Sequence, residues 1–233
     1  MYSRSAEYYD KLYAKKDYEG EAARLAALVR ERLPAARTLL DVACGTGRHL
    51  SFLKRDFRAE GIDASRRIIA LARAANPDLR FRVGDMRRFR LAERFDVVAC
   101  LFSSIGYMTS AARLNAAVRN MARHLAPGGL LVVEPWFRPE DWHAPSAHAA
   151  FVDESGLKIA RLSTSGVRGS LSIMDIRYLV ATPRRVEHFS ERYRMGLFTR
   201  ERMTAAFEAA GLAAEYDEKG LTGRGLYIGR KGA

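Results

Sequence analysis

The sequence predicts an α/β protein: a doubly wound, Rossmann-like sheet carrying an antiparallel β insertion after its fifth strand. Three observations point there. Leu39, Leu40, Val42 and Ala43 form an apolar run without period-two alternation, as a strand buried on both faces does. The run ends in Gly45-Thr-Gly47, and His49 to Lys54 follows as a helix with Leu50 and Leu53 on one side. Strand, glycine turn and helix together make a nucleotide-type site, with the ligand over the helix N-terminus. Beyond Pro135 the pattern changes to short alternating strands separated by turn signals.

The elements follow in order. Ala6 to Tyr13 reads as a short helix in a Tyr-rich start (Tyr2, Tyr8, Tyr9, Tyr13, Tyr18) that either pins the terminus or forms a lid. Asp17 caps an amphipathic helix over 19–33, ended by Pro34. A second strand, Arg58 to Asp63, ends in an acid, and Ser65 caps a helix through Ala75. Leu79 to Asp85 is a third strand and Phe95 to Phe102 a fourth, leading into a polar loop at Ser103 to Tyr107. A helix runs from about Ser110 to Leu125, and Pro127-Gly-Gly129 is a sharp turn into a fifth strand, Leu130 to Trp136. Three or four antiparallel strands fill 151–197, with turns at Glu154-Ser-Gly156, Gly166 and Gly169, and with Leu171, Ile173, Asp175, Arg177 and Leu179 on one strand face. Thr199 caps a helix closed by Gly211, and two strands end the chain, Leu212–Asp217 and 225–231.

Composition narrows the class. At 233 residues and 48% hydrophobic the chain can bury a full core. No apolar run reaches the ~18 residues of a membrane span, and the N-terminus lacks the apolar region of a secretory signal. Cys44 and Cys100 sit at strand ends and read as reduced core residues, so a cytoplasmic protein is expected. The net charge of +12 comes mostly from scattered Arg, in short clusters such as Arg87-Arg88 and Arg184-Arg185. A nucleic-acid binder carries a stripe or a motif as well, so a small anionic substrate such as a sugar nucleotide is the expected partner. The histidines at 124, 143, 148 and 188 lack metal-ligand spacing, and no metal is expected.

Ligands of a doubly wound sheet sit at its C-terminal strand ends, where Asp41, Gly45, Gly47, Asp63, Asp85, Met86, Phe102 and Ser103 fall. Asp63 follows Gly45 by 18 positions, near the ~20 at which an acid meets a ribose diol. Leu50 stands where a dinucleotide binder has its third glycine, so a single nucleoside is expected.

These residues resemble the class I S-adenosylmethionine-dependent methyltransferases. Leu40 to Gly47 matches their first motif, Asp63 their ribose-binding acid, Gly84-Asp85-Met86 their adenine-binding turn, and Pro127-Gly-Gly129 the turn before strand five. A narrower resemblance covers nearly the whole chain. Asp41-Val-Ala-Cys-Gly-Thr-Gly47, Gly84-Asp-Met-Arg87, Phe102-Ser-Ser-Ile-Gly-Tyr107, Val133-Glu-Pro-Trp136 and Gly223-Arg-Gly-Leu226 are similar to the dTDP-amino-sugar N,N-dimethyltransferases of antibiotic glycosylation, the desosamine and mycaminose type. Phe137 replaces a Trp of that family's pattern, and Thr222 stands where Ser precedes Gly-Arg-Gly.

The resemblance implies S-adenosylmethionine as cofactor, with Tyr18 at its methionyl part, Asp63 at the ribose, and Asp85 with Met86 at the adenine. Asp41, Ala43, Gly45, Gly47, Ala64, Phe102 and Ser103 complete the expected cofactor shell. Tyr2 and Tyr107 would face the sugar amine, with Glu134, Trp136 and Arg224 also on the substrate side and Arg224 at its phosphates. The expected layout is lid helices and cofactor-binding core over 1–136, a substrate-side insertion over 137–197, and a C-terminal helix and strands completing the core sheet over 198–233. A homodimer is compatible with this. A methyltransferase for another amine or metabolite shares the cofactor half and is the competing reading. A nucleic-acid methyltransferase has only charge in its favour: Leu101-Phe-Ser-Ser104 is not an Asn/Asp-Pro-Pro-aromatic tetrad. A non-enzymatic cofactor-binding module has no need of the insertion.

Overall fold

A computed structural model describes residues 4–232. Tyr2 therefore lies outside the described residues. Seven strands form one mixed sheet in the order β10-β11-β5-β4-β1-β2-β3. These are β1 (Thr38–Val42), β2 (Arg58–Asp63), β3 (Arg80–Val83), β4 (Phe95–Cys100), β5 (Leu125–Val133), β10 (Leu212–Asp217) and β11 (Leu226–Lys231). The first five run parallel; β11 pairs antiparallel with β5 and with β10. The order reverses between β1 and β4, and the crevice there is where such folds bind ligands.

Helices cover both faces. Among the described residues six are α-helices: α1 (Tyr9–Leu12), α2 (Tyr18–Arg32), α3 (Leu50–Leu53), α4 (Arg66–Ala75), α5 (Ala111–Arg123) and α6 (Arg200–Glu208). Leu114, Val118 and Met121 of α5 and Met203 and Phe207 of α6 pack with Leu40, Val98 and Leu131 on one face. Leu25 and Val29 of α2, Leu50 and Leu53 of α3, and Ile69 of α4 pack with Leu39, Val97 and Val132 on the other. The even-odd split of β1, β4 and β5 between two cores is why these strands show no alternation. The caps are local, and Asp17, Ser65 and Thr199 follow the sequence reading, with Ser110 as a further one: each accepts a hydrogen bond from the backbone N–H three residues on.

Four strands form a second, antiparallel sheet in the order β6-β7-β8-β9: β6 (Ser146–Glu154), β7 (Leu157–Arg168), β8 (Leu171–Thr182) and β9 (Arg185–Gly196). Its inner face, Ile159, Ile176, Tyr178, Val180, Phe189 and Tyr193, is a third core closed by Tyr8 and Leu12 of the N-terminal segment. Phe151, Leu162, Leu179 and Val186 on its outer face are exposed. Trp136 Nε1 donates to Ser172 Oγ at 2.9 Å, tying this sheet to the end of β5. No helix among the described residues is long and apolar enough to cross a membrane.

Three local expectations are corrected and a fourth is refined. Pro127-Gly-Gly129 lies inside β5 as a bulge, not before it: the register against β4 jumps from Phe95↔Leu125 to Val97↔Leu130, and Gly128 N donates to Gly232 O. Gly166 is paired within β7, opposite Ile173, and makes no turn. Leu171, Ile173, Asp175, Arg177 and Leu179 share one face of β8 as expected, and the structure adds that the opposite face, with Ser172, Ile176, Tyr178 and Val180, is the buried one. The segment after β4 is a 3-10 turn over Ser104–Tyr107, not an open loop.

Candidate active site

The C-terminal strand ends, the N-terminal helix and the inner face of the second sheet enclose a cavity of about 550 Å³. Ala43, Gly45, Asp63, Ala64, Asp85, Met86, Phe102, Tyr107, Glu134, Trp136 and Arg224 line it. Tyr18 and Asp41 instead line a recess of about 30 Å³ that shares Ala43, Gly45 and Phe102 with the cavity. Gly47 and Ser103 line neither. Gly47, at φ +81°, faces away: a Cβ there would lie 2.7 Å from Phe81 Cζ, so its role is packing. The Ser103 hydroxyl turns to Pro135 O at 2.7 Å, and Ser104 takes its place on the wall.

Gly45 carries the glycine turn. Its φ is +58°, and nothing stands within 4 Å of where its Cβ would be. That turn needs glycine and leaves open space above the β1 end. Asp63 closes it from β2, with Oδ2 accepting from Gly45 N at 3.2 Å and Oδ1 from Ser65 N at 2.8 Å. Burial pushes the Asp63 carboxyl above its usual range against those backbone donors. Asp41, beneath it, has no partner for Oδ1 among the described residues, and burial with the nearby Asp63 charge pushes its carboxyl up to about 8. Asp85 differs: Arg87 grips both its oxygens and holds the carboxyl below the usual range. Cys44 and Cys100 are buried, and burial pushes both thiols up, which makes them inert.

Past β4 the backbone is strained. Phe102 at φ +49° and Ser103 at φ +59° both occupy the left-handed region, at roughly 1–3 kcal/mol each. Glu134, fully buried at the end of β5, accepts from Phe102 N at 2.6 Å and from Thr222 Oγ1 at 2.5 Å. Arg224 Nη1 donates to Ser103 Oγ at 3.1 Å, and its guanidinium lies against the Trp136 and Phe137 rings.

Several wall residues were not anticipated. Lys16 lies 4.3 Å from the Phe102 ring centroid, and Tyr13 meets that ring edge-on at 5.2 Å. Glu21 accepts from Lys16 Nζ and pairs with His49 Nε2 at 2.8 Å; these bonds outweigh the cost of burial and hold its carboxyl below the usual range. An acid on the apolar side of a helix, beside Ala22 and Leu25, was a readable signal. Arg161 and Tyr193 reach in from β7 and β9, and Tyr193 meets Tyr107 edge-on at 6.4 Å. Their inward alternation with Ile159 and Phe189 was the only local sign. Tyr9 and Tyr13 belong to the Tyr-rich start whose alternative was a lid, whereas Lys16 carries no such sign, because its position is set by tertiary contact.

The methyltransferase-domain family model matches residues 39–129. The dTDP-3-amino-3,6-dideoxy-alpha-D-glucopyranose N,N-dimethyltransferase of Streptomyces fradiae is 46% identical over 232 residues, spanning 98% of this chain and 91% of that protein. The crystal structure of Streptomyces venezuelae DesVI matches at a TM-score of 0.92 and 42% identity, over 100% of both chains. The chain belongs to the S-adenosylmethionine-dependent amino-sugar N-methyltransferases. Another solved member, CalS10, an amino pentose methyltransferase from Micromonospora echinaspora with S-adenosylmethionine bound, gives a TM-score of 0.87 at 39% identity, over 99% of this chain and 98% of that one. As an N-methyltransferase of this family the protein uses S-adenosylmethionine, and the strand ends fit it. Gly45 leaves an open cradle, Asp63 presents a buried carboxyl beside that cradle, and Asp41 Oδ1 is a buried acceptor with no protein partner.

Proposed function

We propose that the protein methylates the amino group of a nucleotide-linked deoxyamino sugar. The observation that carries this is the continuity of the cavity. One space runs from the acid-and-glycine wall at Asp63 and Gly45 to the aromatic and arginine wall at Tyr107, Trp136 and Arg224. The Streptomyces fradiae relative acts on a dTDP-linked amino hexose and CalS10 on an amino pentose, so the class of substrate is supported and the sugar is not. CalS10 serves calicheamicin biosynthesis, and we infer a comparable place in antibiotic glycosylation here.

In this reading Asp63 takes the ribose hydroxyls, Asp85 and Met86 border the adenine, and Tyr18 and Asp41 sit behind the methionyl part. Tyr107 orients the sugar nitrogen, Trp136 supports the sugar or base, and Arg224 meets the phosphates. The bound cofactor supplies an electrophilic methyl group on a sulfonium, so the protein's work is orientation and exclusion of water. Holding two reactants in line contributes up to ~7–11 kcal/mol. The amine must arrive neutral. Burial pushes the Tyr193 hydroxyl further up, so that side chain is no base near neutral pH, and the proton leaves through water. Catalysis is by positioning.

The test offers methyl-labelled S-adenosylmethionine with dTDP-3-amino and dTDP-4-amino deoxysugars, free amines and tRNA. Label should enter a dTDP-amino sugar. Label found only in RNA or in free amines would overturn the reading.

A further inference from the structure

Two hydrogen-bond chains run side by side beneath the substrate end of the cavity. In the first, Thr222 Oγ1 donates to Glu134 Oε1 at 2.5 Å, while Glu134 Oε2 accepts from Phe102 N at 2.6 Å. In the second, Arg224 Nη1 donates to Ser103 Oγ at 3.1 Å, and Ser103 Oγ donates to Pro135 O at 2.7 Å. Both chains begin on one glycine-flanked loop, Gly220 to Gly225, and both engage the same strained pair: the first at Phe102 N, the second through Ser103 Oγ on its way to Pro135 O. Glu134 is 0% exposed and both its oxygens are engaged. A carboxylate so committed is poorly suited to touch a substrate, which changes the role expected for it.

The physical need is visible on both sides. Two adjacent non-glycine residues in the left-handed region do not hold that shape unaided. The loop that carries Arg224 is rich in glycine; Gly223 N donates to Lys219 O and Arg24 Nε to Leu221 O, each at 2.9 Å, and the Thr222 hydroxyl is its tie to Glu134. A buried carboxylate bridging the two fixes both at once, through charge-assisted bonds.

We propose that Thr222 and Glu134 are positioning residues that join the Arg224 loop to the Phe102–Ser103 turn. The guanidinium that meets the substrate's phosphates is thereby set by the same carboxylate that shapes the cofactor side. The proposal rests on the reading of Arg224 as the phosphate partner. Thr222 borders the cavity, but its hydroxyl is spent on Glu134 and acts through that carboxylate and the loop.

The test uses the full chain with Thr222→Val, Thr222→Ser, Arg224→Ala, the double variant Thr222→Val/Arg224→Ala, and Glu134→Gln. Steady-state kinetics with a dTDP-amino sugar are read beside calorimetric S-adenosylmethionine binding. Losing a hydrogen bond to a charged group should raise the KM of Thr222→Val for the nucleotide sugar about tenfold, with kcat changed less than about threefold. Thr222→Ser should return KM to within about twofold of wild type, and in the Arg224→Ala background Thr222→Val should add nothing. Glu134→Gln keeps the acceptor for Phe102 N but reverses the bond to the Thr222 hydroxyl and removes the charge assistance, and it should raise both the sugar KM and the cofactor Kd. If Arg224→Ala raises KM and Thr222→Val does not, the relay is wrong and the phosphate reading stands. If Arg224→Ala leaves KM unchanged, the phosphate reading itself fails. Full additivity in the double variant overturns the proposal, because Thr222 would then act elsewhere.

Discussion

Asp41 sits in the middle of the parallel sheet with one oxygen buried and unpartnered. Its carboxyl, pushed up to about 8 by burial and by Asp63, keeps its proton in the folded protein where the unfolded chain has lost it. Between about 4 and about 8 the folded state therefore binds more protons, and stability falls as pH rises through that window. Asp41→Asn removes the titration. It should gain stability over wild type at pH 8 relative to pH 5, on the order of 1–3 kcal/mol, measured by urea unfolding at both values. Equal pH slopes for the two proteins would rule this out. Asp41, Asp63 and Gly45 were legible in the sequence because each ends a strand that identifies itself by its own apolar run. Gly47 was not: its neighbour is Phe81, which is remote in sequence, and only that contact shows that the second glycine serves packing.

The short helix α1 is an element whose place is set entirely by others. Four residues cannot hold a helix alone. Asp10 Oδ1 accepts from Thr46 Oγ1 at 2.6 Å, Lys11 pairs with Glu154 at 2.6 Å, and Ser5 Oγ donates to Glu191 at 2.6 Å, so the segment is clipped to both sheets. Tyr13 and Lys16 then close over Phe102. Asp10→Ala should loosen the glycine-turn side. Amide exchange over 9–12 should quicken, and the KM for S-adenosylmethionine should rise about 3–10-fold; wild-type exchange in this variant would exclude a latch at Thr46. The helix and its alternative as a lid were readable in the run of tyrosines, but the partners were not, since Thr46, Glu154 and Glu191 have no local relation to it. Caps were read correctly for the opposite reason: donor and acceptor are three residues apart. The Pro127-Gly-Gly129 bulge was misplaced because its shape depends on pairing with β4 and on Gly232.

At the scale of the whole molecule the charge of +12 acts at long range. An anionic nucleotide sugar is drawn toward the protein, whereas S-adenosylmethionine, itself a net cation, is not. Raising salt from about 0.05 to about 0.5 M should therefore raise the KM for the nucleotide sugar several-fold and leave cofactor affinity nearly unchanged, since the screening length shrinks to a few ångströms. Equal salt dependence of the two would mean the charge serves neither. The strand-end wall of the cavity was legible because its residues follow one another along consecutive strand ends. The opposite wall draws Tyr107, Arg161, Tyr193 and Arg224 from elements far apart in sequence, and only topology unites them. The third core has a consequence of its own. Ile176, Val180 and Phe189 of the second sheet are roofed by Tyr8 and Leu12, not by the seven-stranded sheet. Peeling the N-terminal segment away alone would wet that core, so we infer that sheet and segment travel as one cassette. A chimera that transplants a new substrate sheet from a homologue should therefore fold only when the donor's N-terminal segment comes with it.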